Sequence, residues 1–172
     1  MEHHHNEGLV FFTDLARFTA LTRGMDPDEL ADFLVAYATI VSRTISAGGG
    51  QVIKYVSDSA LGFFPGTDVD RGVLALLETK RIVESELSFP DRKANLKIGA
   101  HYGPVVMPVL PPFSTLDIFG ETVNITIGLG EGGTTVHRDK MIISATAFRK
   151  LAPETRKRFH KFTEPIVYLA EG

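Results

Sequence analysis

Two aspartates stand where a carboxylate can do chemistry. Asp14 ends an apolar run at residues 9–13 (LVFFT), and Asp58 lies in the polar turn 57–59 between two runs rich in strand formers. Two carboxylates brought to one sheet edge suit Mg²⁺, a hard ion that takes oxygen ligands, commonly one or two carboxylates together with substrate phosphates and water. Two such ions can clamp a phosphoryl transfer, one activating the attacking oxygen while both offset charge on the phosphate and the leaving group. Taken singly, each residue also has a plain structural role. Asp14 can cap the segment after a strand, and Asp58 can be an ordinary turn residue.

The order of the elements decides whether the two can meet. The run 9–13 reads as a first strand. Asp26-Pro27 is a helix-start signal, after which Leu30, Phe33, Leu34, Tyr37, Ile40 and Val41 recur at three- and four-residue steps until glycines 48–50 stop the helix. Residues 51–56 and 60–64 read as a hairpin, and 68–87 as a second amphipathic helix with Val73, Leu76, Leu77, Lys80 and Val83 on one face. Residues 96–101 alternate as a strand does, and a further apolar run at 105–110 is interrupted by Pro108. This order predicts an α+β domain of ferredoxin-like type, a mostly antiparallel sheet with helices on one face. A right-handed crossover sets the second strand parallel to the first with a gap between them, which the third strand fills. The end of the first strand then lies beside the hairpin turn, and Asp14 and Asp58 converge.

Composition narrows the partners. The 172 residues are 44% apolar and 23% charged, enough for one domain that removes roughly 70% of its unfolded surface from water. With no cysteine, disulfides, thiolate metal sites and a cysteine nucleophile are excluded. A formal charge of -3, with 18 Lys and Arg against 21 Asp and Glu, argues against a nucleic-acid binder, whose affinity needs clustered cations. No apolar run approaches the ~20 residues of a membrane span, and the N-terminus lacks a secretory signal. A cytoplasmic location without membrane contact is therefore expected. His3, His4 and His5 read as the remnant of a purification tag, with residues 1–7 as a leader and 8–172 as the domain.

Four blocks, in order and spacing, carry a resemblance: residues 11–19 (FFTDLARFT), 49–64 (GGQVIKYVSDSALGFF), 98–105 (IGAHYGPV) and 116–124 (LDIFGETVN). Together they resemble the class III nucleotidyl cyclases across nearly the whole chain. The resemblance implies a catalytic domain that works as a head-to-tail homodimer with shared active sites, turning ATP or GTP into the 3′,5′-cyclic monophosphate and pyrophosphate. It assigns Asp14 and Asp58 to two Mg²⁺ or Mn²⁺ ions, in agreement with the convergence argued from topology. It assigns Lys54 and Asp117 to the purine, in the combination that adenylyl members carry, and Asn124 to the ribose. Adenine fits that pair, because its N6 amino group donates to a carboxylate and its N1 accepts from an ammonium. A looser match at residues 160–169 (HKFTEPIVYL) sets Lys161 against the triphosphate. Each again has a plain reading: Lys54 and Lys161 as solvated lysines, Asn124 as a helix N-cap.

The chain departs from the family pattern at several positions. Four residues after the asparagine the family has an arginine that offsets transition-state charge, and here Gly128 stands there. Gly128, Gly130, Gly132 and Gly133 also argue against a helix after Asn124, each interior glycine costing about 1 kcal/mol, and favour a flexible surface loop. Arg17 and Ser57 replace glycines beside the two aspartates, and Pro108 replaces a glycine in the sheet. Arg17 can reach a triphosphate, obstruct the site, or face solvent. Two functions follow: an adenylate cyclase weakened at Gly128, or a degenerate domain that binds nucleotide or dimerises with little turnover.

Overall fold

A computed structural model of the chain describes residues 4–131, 140–163 and 166–171. Leu9, Val10 and Phe11 are fully buried in β1 (His4–Leu15). The strand begins earlier than its apolar run because His4, His5, Asn6 and Glu7 pair with Met107, Val106, Val105 and Pro104 of β4 (Leu96–Met107). Backbone pairing is blind to side-chain polarity, so four residues of the expected leader are strand. His3 lies outside the described residues.

After a single turn, α1 (Phe18–Leu21), comes α2 (Pro27–Ala47). The Asp26 side chain accepts from the N–H groups of Asp28 and Glu29, both at 2.9 Å, and Glu29 accepts in return from the Asp26 N–H, closing a capping box. Phe33, Tyr37, Ile40, Val41 and Ile45 form the buried stripe of α2, which meets Val73, Leu76 and Val83 of α3 (Val69–Glu86) over one face of the sheet. Contrary to the sequence expectation, α2 is long and apolar enough to cross a membrane by length and composition. Its stripe is instead the centre of the main core.

The hairpin consists of β2 (Gln51–Val56) and β3 (Ser59–Pro65). As crossover geometry predicts, β3 lies between β1 and β2, antiparallel to both. With β7 (Met141–Ser144), β8 (Phe159–Thr163) and β9 (Ile166–Ala170), the sheet order is β2-β3-β1-β4-β7-β9-β8, and among the described residues only β4 and β7 pair in parallel. Between β4 and β7, β5 (Val109–Leu110) and β6 (Thr115–Leu116) form a separate small hairpin just past Pro108. The short helices α5 (Ala145–Arg149) and α6 (Pro153–Arg156) precede β8.

The ferredoxin-like α+β expectation holds, with one addition. Helix α4 (Glu121–Glu131) covers part of the opposite face, where Val123 is buried with Val10, Leu61, Phe63 and Val105. The glycine-rich stretch expected to loop is helical as far as Glu131, and Gly132 and Gly133 lie outside the described residues. Packing outweighs propensity here: a Cβ on Gly99 of β4 would stand 2.3 Å from the Gly130 nitrogen and 2.5 Å from the Thr126 carbonyl oxygen. Bare backbone on both sides lets the helix lie directly on the sheet.

Candidate active site

Side chains on directly opposed residues of antiparallel strands share a face. Ser59 of β3, Asp14 of β1 and Lys97 of β4 are opposed in this way and form one row across three strands, on the α4 side of the sheet. The Ser59 hydroxyl donates to Asp14 Oδ1 at 2.9 Å, and Lys97 Nζ lies 2.6 Å from Asp14 Oδ2. Asp58, in the two-residue turn before Ser59, brings its carboxyl into hydrogen-bonding reach of Asp14. Its pKa is pushed up to about 6, first by burial and then by the hydrogen bond to Asp14 and that group's charge, while the N–H groups of Asp58 and Leu15 act the other way. The two aspartates thus meet as topology requires.

Backbone geometry explains two of the departures from the family pattern. Arg17 (φ 55°, ψ 40°) and Ser57 (φ 55°) both adopt the left-handed conformation, which glycine occupies freely and other residues only at about 1–2 kcal/mol. The loops beside both aspartates therefore keep a glycine-like path. Arg17 stands at the start of α1 beside a cleft of about 270 Å³ that Arg92 and Lys93 also line.

A second pair lies on the same face. A bulge between Val52 and Lys54 inserts Ile53 as an extra residue, so that Lys54 rather than Ile53 opposes Leu61. Strict alternation from Val52 would have turned Lys54 toward the helices α2 and α3. Lys54 Nζ instead reaches Asp117 Oδ2 at 2.7 Å, and the Phe119 ring centroid is 6.0 Å from the ammonium. The Asp117 residue is only 7% exposed and is fixed by its backbone, its N–H donating to the Pro108 carbonyl while Oδ1 accepts from the Ile118 N–H. Lys54 is thus paired with Asp117 while its side chain stays 43% exposed to solvent.

Asn124 is exposed in the second turn of α4, so it is not the N-cap that sequence also allowed; the helix begins at Glu121. Gly128, one turn further on, faces open space, with no atom within 4 Å of a Cβ built on it. Lys161 is exposed on the edge strand β8, four strand steps from β1, or about 19 Å in the plane of the sheet. Within one chain the structure therefore brings Asp14 to Asp58 and Lys54 to Asp117, and leaves Lys161 remote from Asp14. Sequence reasoning missed Ser59 and Lys97. The pairing of β1 with β4 would have pointed to Lys97, the one lysine of that central strand.

Among the described residues no cluster of three or more His, Asp or Glu side chains converges. A divalent cation here would have two carboxylates and otherwise oxygens from substrate and water, which suits Mg²⁺ or Mn²⁺.

Residues 1–168 match the family model of the adenylate and guanylate cyclase catalytic domain, and the chain belongs to that family. An adenylate cyclase from Anabaena cylindrica is 27% identical over 157 residues, covering 85% of this chain and 31% of that protein. The chain spans about a third of the length of the Anabaena relative and of an adenylate cyclase from Streptomyces coelicolor. In fold it is similar to the adenylyl cyclase CyaB from P. aeruginosa (TM-score 0.82, 18% identity, 100% of this chain and 97% of the other). A dimeric guanylyl cyclase domain from Blastocladiella emersonii is similar as well (TM-score 0.80, 17% identity, 99% and 97%).

Proposed function

We propose that this domain is an adenylate cyclase of the cytoplasm, converting ATP into 3′,5′-cyclic AMP and pyrophosphate at sites shared between two copies of the chain. The observation that carries the reading is the meeting of Asp14 and Asp58, where burial first and the neighbouring Asp14 second drive Asp58 toward protonation. Two Mg²⁺ or Mn²⁺ ions held by these carboxylates would supply Lewis acidity toward the ribose 3′-hydroxyl and offset charge on the triphosphate. The 3′-oxygen then bonds to the α-phosphorus as the bond to pyrophosphate breaks, and the hydroxyl proton leaves to water.

The chain's own residues choose the base and hold the sugar. Lys54 keeps two N–H donors beyond the one it gives Asp117, and Asp117 Oδ2 keeps a lone pair, so adenine joins the pair through N1 and N6 without breaking it. Guanine would set its O6 acceptor against Asp117, and an unpaired buried acceptor costs about 1–3 kcal/mol. The name of the Anabaena relative agrees with ATP as substrate. Asn124 orients the ribose from α4, and Lys161 meets the triphosphate. Since Lys161 is remote from Asp14 in one chain, the site needs a second copy. Val56, Phe119 and Ile125, respectively 67%, 47% and 39% exposed, give that copy an apolar face to cover.

Gly128 favours a second reading, a nucleotide-binding or dimerising module with little turnover, because no cation stands one turn after Asn124. One experiment separates the two. The concentrated domain is incubated with ATP and Mn²⁺, and cyclic AMP is measured beside an Asp58→Asn variant. Product that falls to background in the variant is expected, and equal product from both proteins overturns the cyclase reading. Binding of ATP without product, lost in Lys54→Ala or Asp117→Ala, selects the module. Preference for GTP overturns the assignment of the base.

A further inference from the structure

Both carboxylate oxygens of Asp14 are engaged from the flanking strands, Oδ1 by the Ser59 hydroxyl and Oδ2 by the Lys97 ammonium. We propose that Lys97 is the counter-ion a divalent cation must displace from Asp14, so that metal binds the nucleotide-free domain weakly and tightens when a triphosphate arrives to receive the ammonium. This rests on the reading of Asp14 and Asp58 as cation ligands.

Two observations and the chemistry of the ammonium carry it. Lys97 and Asp14 are opposed residues of paired central strands, so the contact is set by the sheet rather than by a wandering surface rotamer. Their side chains are only 18% and 24% exposed, which leaves the attraction less screened than that of a surface pair. An ammonium withdrawn from water to that extent needs an acceptor wherever it turns. On losing Asp14 it must move to another anion, and the polyphosphate is the one that enters with the metal. A lysine suits such a transfer, being a compact charge on a flexible four-carbon stem with three donors. A cation beside Asp14 and the Lys97 ammonium also repel each other, which makes joint occupancy of that carboxylate unfavourable.

The test measures Mn²⁺ affinity by electron paramagnetic resonance of the free ion, with and without 3′-deoxy-ATP, which cannot cyclise. In the nucleotide-free domain Lys97→Met is expected to bind Mn²⁺ more tightly than wild type, on the order of tenfold. Lys97→Arg should match wild type. The nucleotide should tighten Mn²⁺ binding more in wild type than in Lys97→Met, a difference that a merely structural lysine would not produce. Unchanged or weaker affinity in Lys97→Met overturns the proposal; if that variant does not fold, Lys97→Gln is read by the same criterion. Asp58→Asn is the separate control. Retained Mn²⁺ binding there overturns the metal-site reading itself, whereas lost binding there with no tightening in the Lys97 variants overturns only the role of Lys97.

Discussion

Asp58 takes up a proton more readily than an ordinary aspartate, and that has a measurable sign. Its pKa rises from 3.8 to about 6 on folding, so the fold favours the neutral form. That stabilising contribution is complete below about pH 4 and is lost as pH rises through about 6. His101 acts in the opposite sense. Burial holds its pKa below the usual value, and its ring, 2.7 Å from the Ser144 hydroxyl, withdraws support as pH falls below about 6.5. The difference between wild type and Asp58→Asn therefore isolates the aspartate. In metal-free buffer at pH 7.5 the variant should be more stable by about 1 kcal/mol, allowing for the solvent screening of a half-exposed group. The advantage should vanish near pH 4, as read by urea unfolding. Added Mn²⁺ should raise the Tm of wild type and leave that of the variant unchanged.

Helix α4 owes its place to residues that disfavour helices. Gly99→Ala would drive a methyl group into the Gly130 backbone and should cost more than about 2 kcal/mol or prevent folding. Gly128 touches nothing, so Gly128→Ala should stabilise α4 by about 1 kcal/mol. Gly128→Arg, which has the same open space, should raise cyclic AMP output at least tenfold by supplying the missing cation, a floor set below the about 10³–10⁵ that arginine fingers provide elsewhere. An unfolding titration of the alanine variants and an initial-rate assay of the arginine variant check these outcomes. The same helix marks the limit of what could be read from residues alone. The buried stripe of α2, the hairpin and the meeting of Asp14 with Asp58 were legible because periodicity and crossover geometry are local or topological rules. The course of α4 was hidden because close contact between Gly99 and Gly130 is tertiary and overrides propensity. Lys54 was named from the resemblance, but the face it presents was hidden for a related reason, since one extra residue, Ile53, reverses the face that alternation assigns to it. Lys97 required knowledge of how two distant strands align.

At the scale of the molecule, the sheet order keeps the residues assigned to the reaction apart. Lys161 is on one edge strand and the hairpin bearing Lys54 and Asp58 is on the other. In the proposed head-to-tail pair with two-fold symmetry, each site would take its acids from one copy and its base-reading pair from the other. Mixing inactive Asp58→Asn with inactive Lys54→Ala should then restore about a quarter of wild-type activity, because half the dimers are mixed and each of those has one intact site of its two. If each chain worked alone, mixing would restore none. The Ser59–Asp14–Lys97 row has a consequence at this scale too. A slip of one residue between neighbouring strands would turn the oily side chains outward and is forbidden by the core. A slip of two would keep every face as it is and still unthread the hydroxyl, the acid and the amine. The three-residue row thus depends on a register to which hydrophobic patterning alone is indifferent.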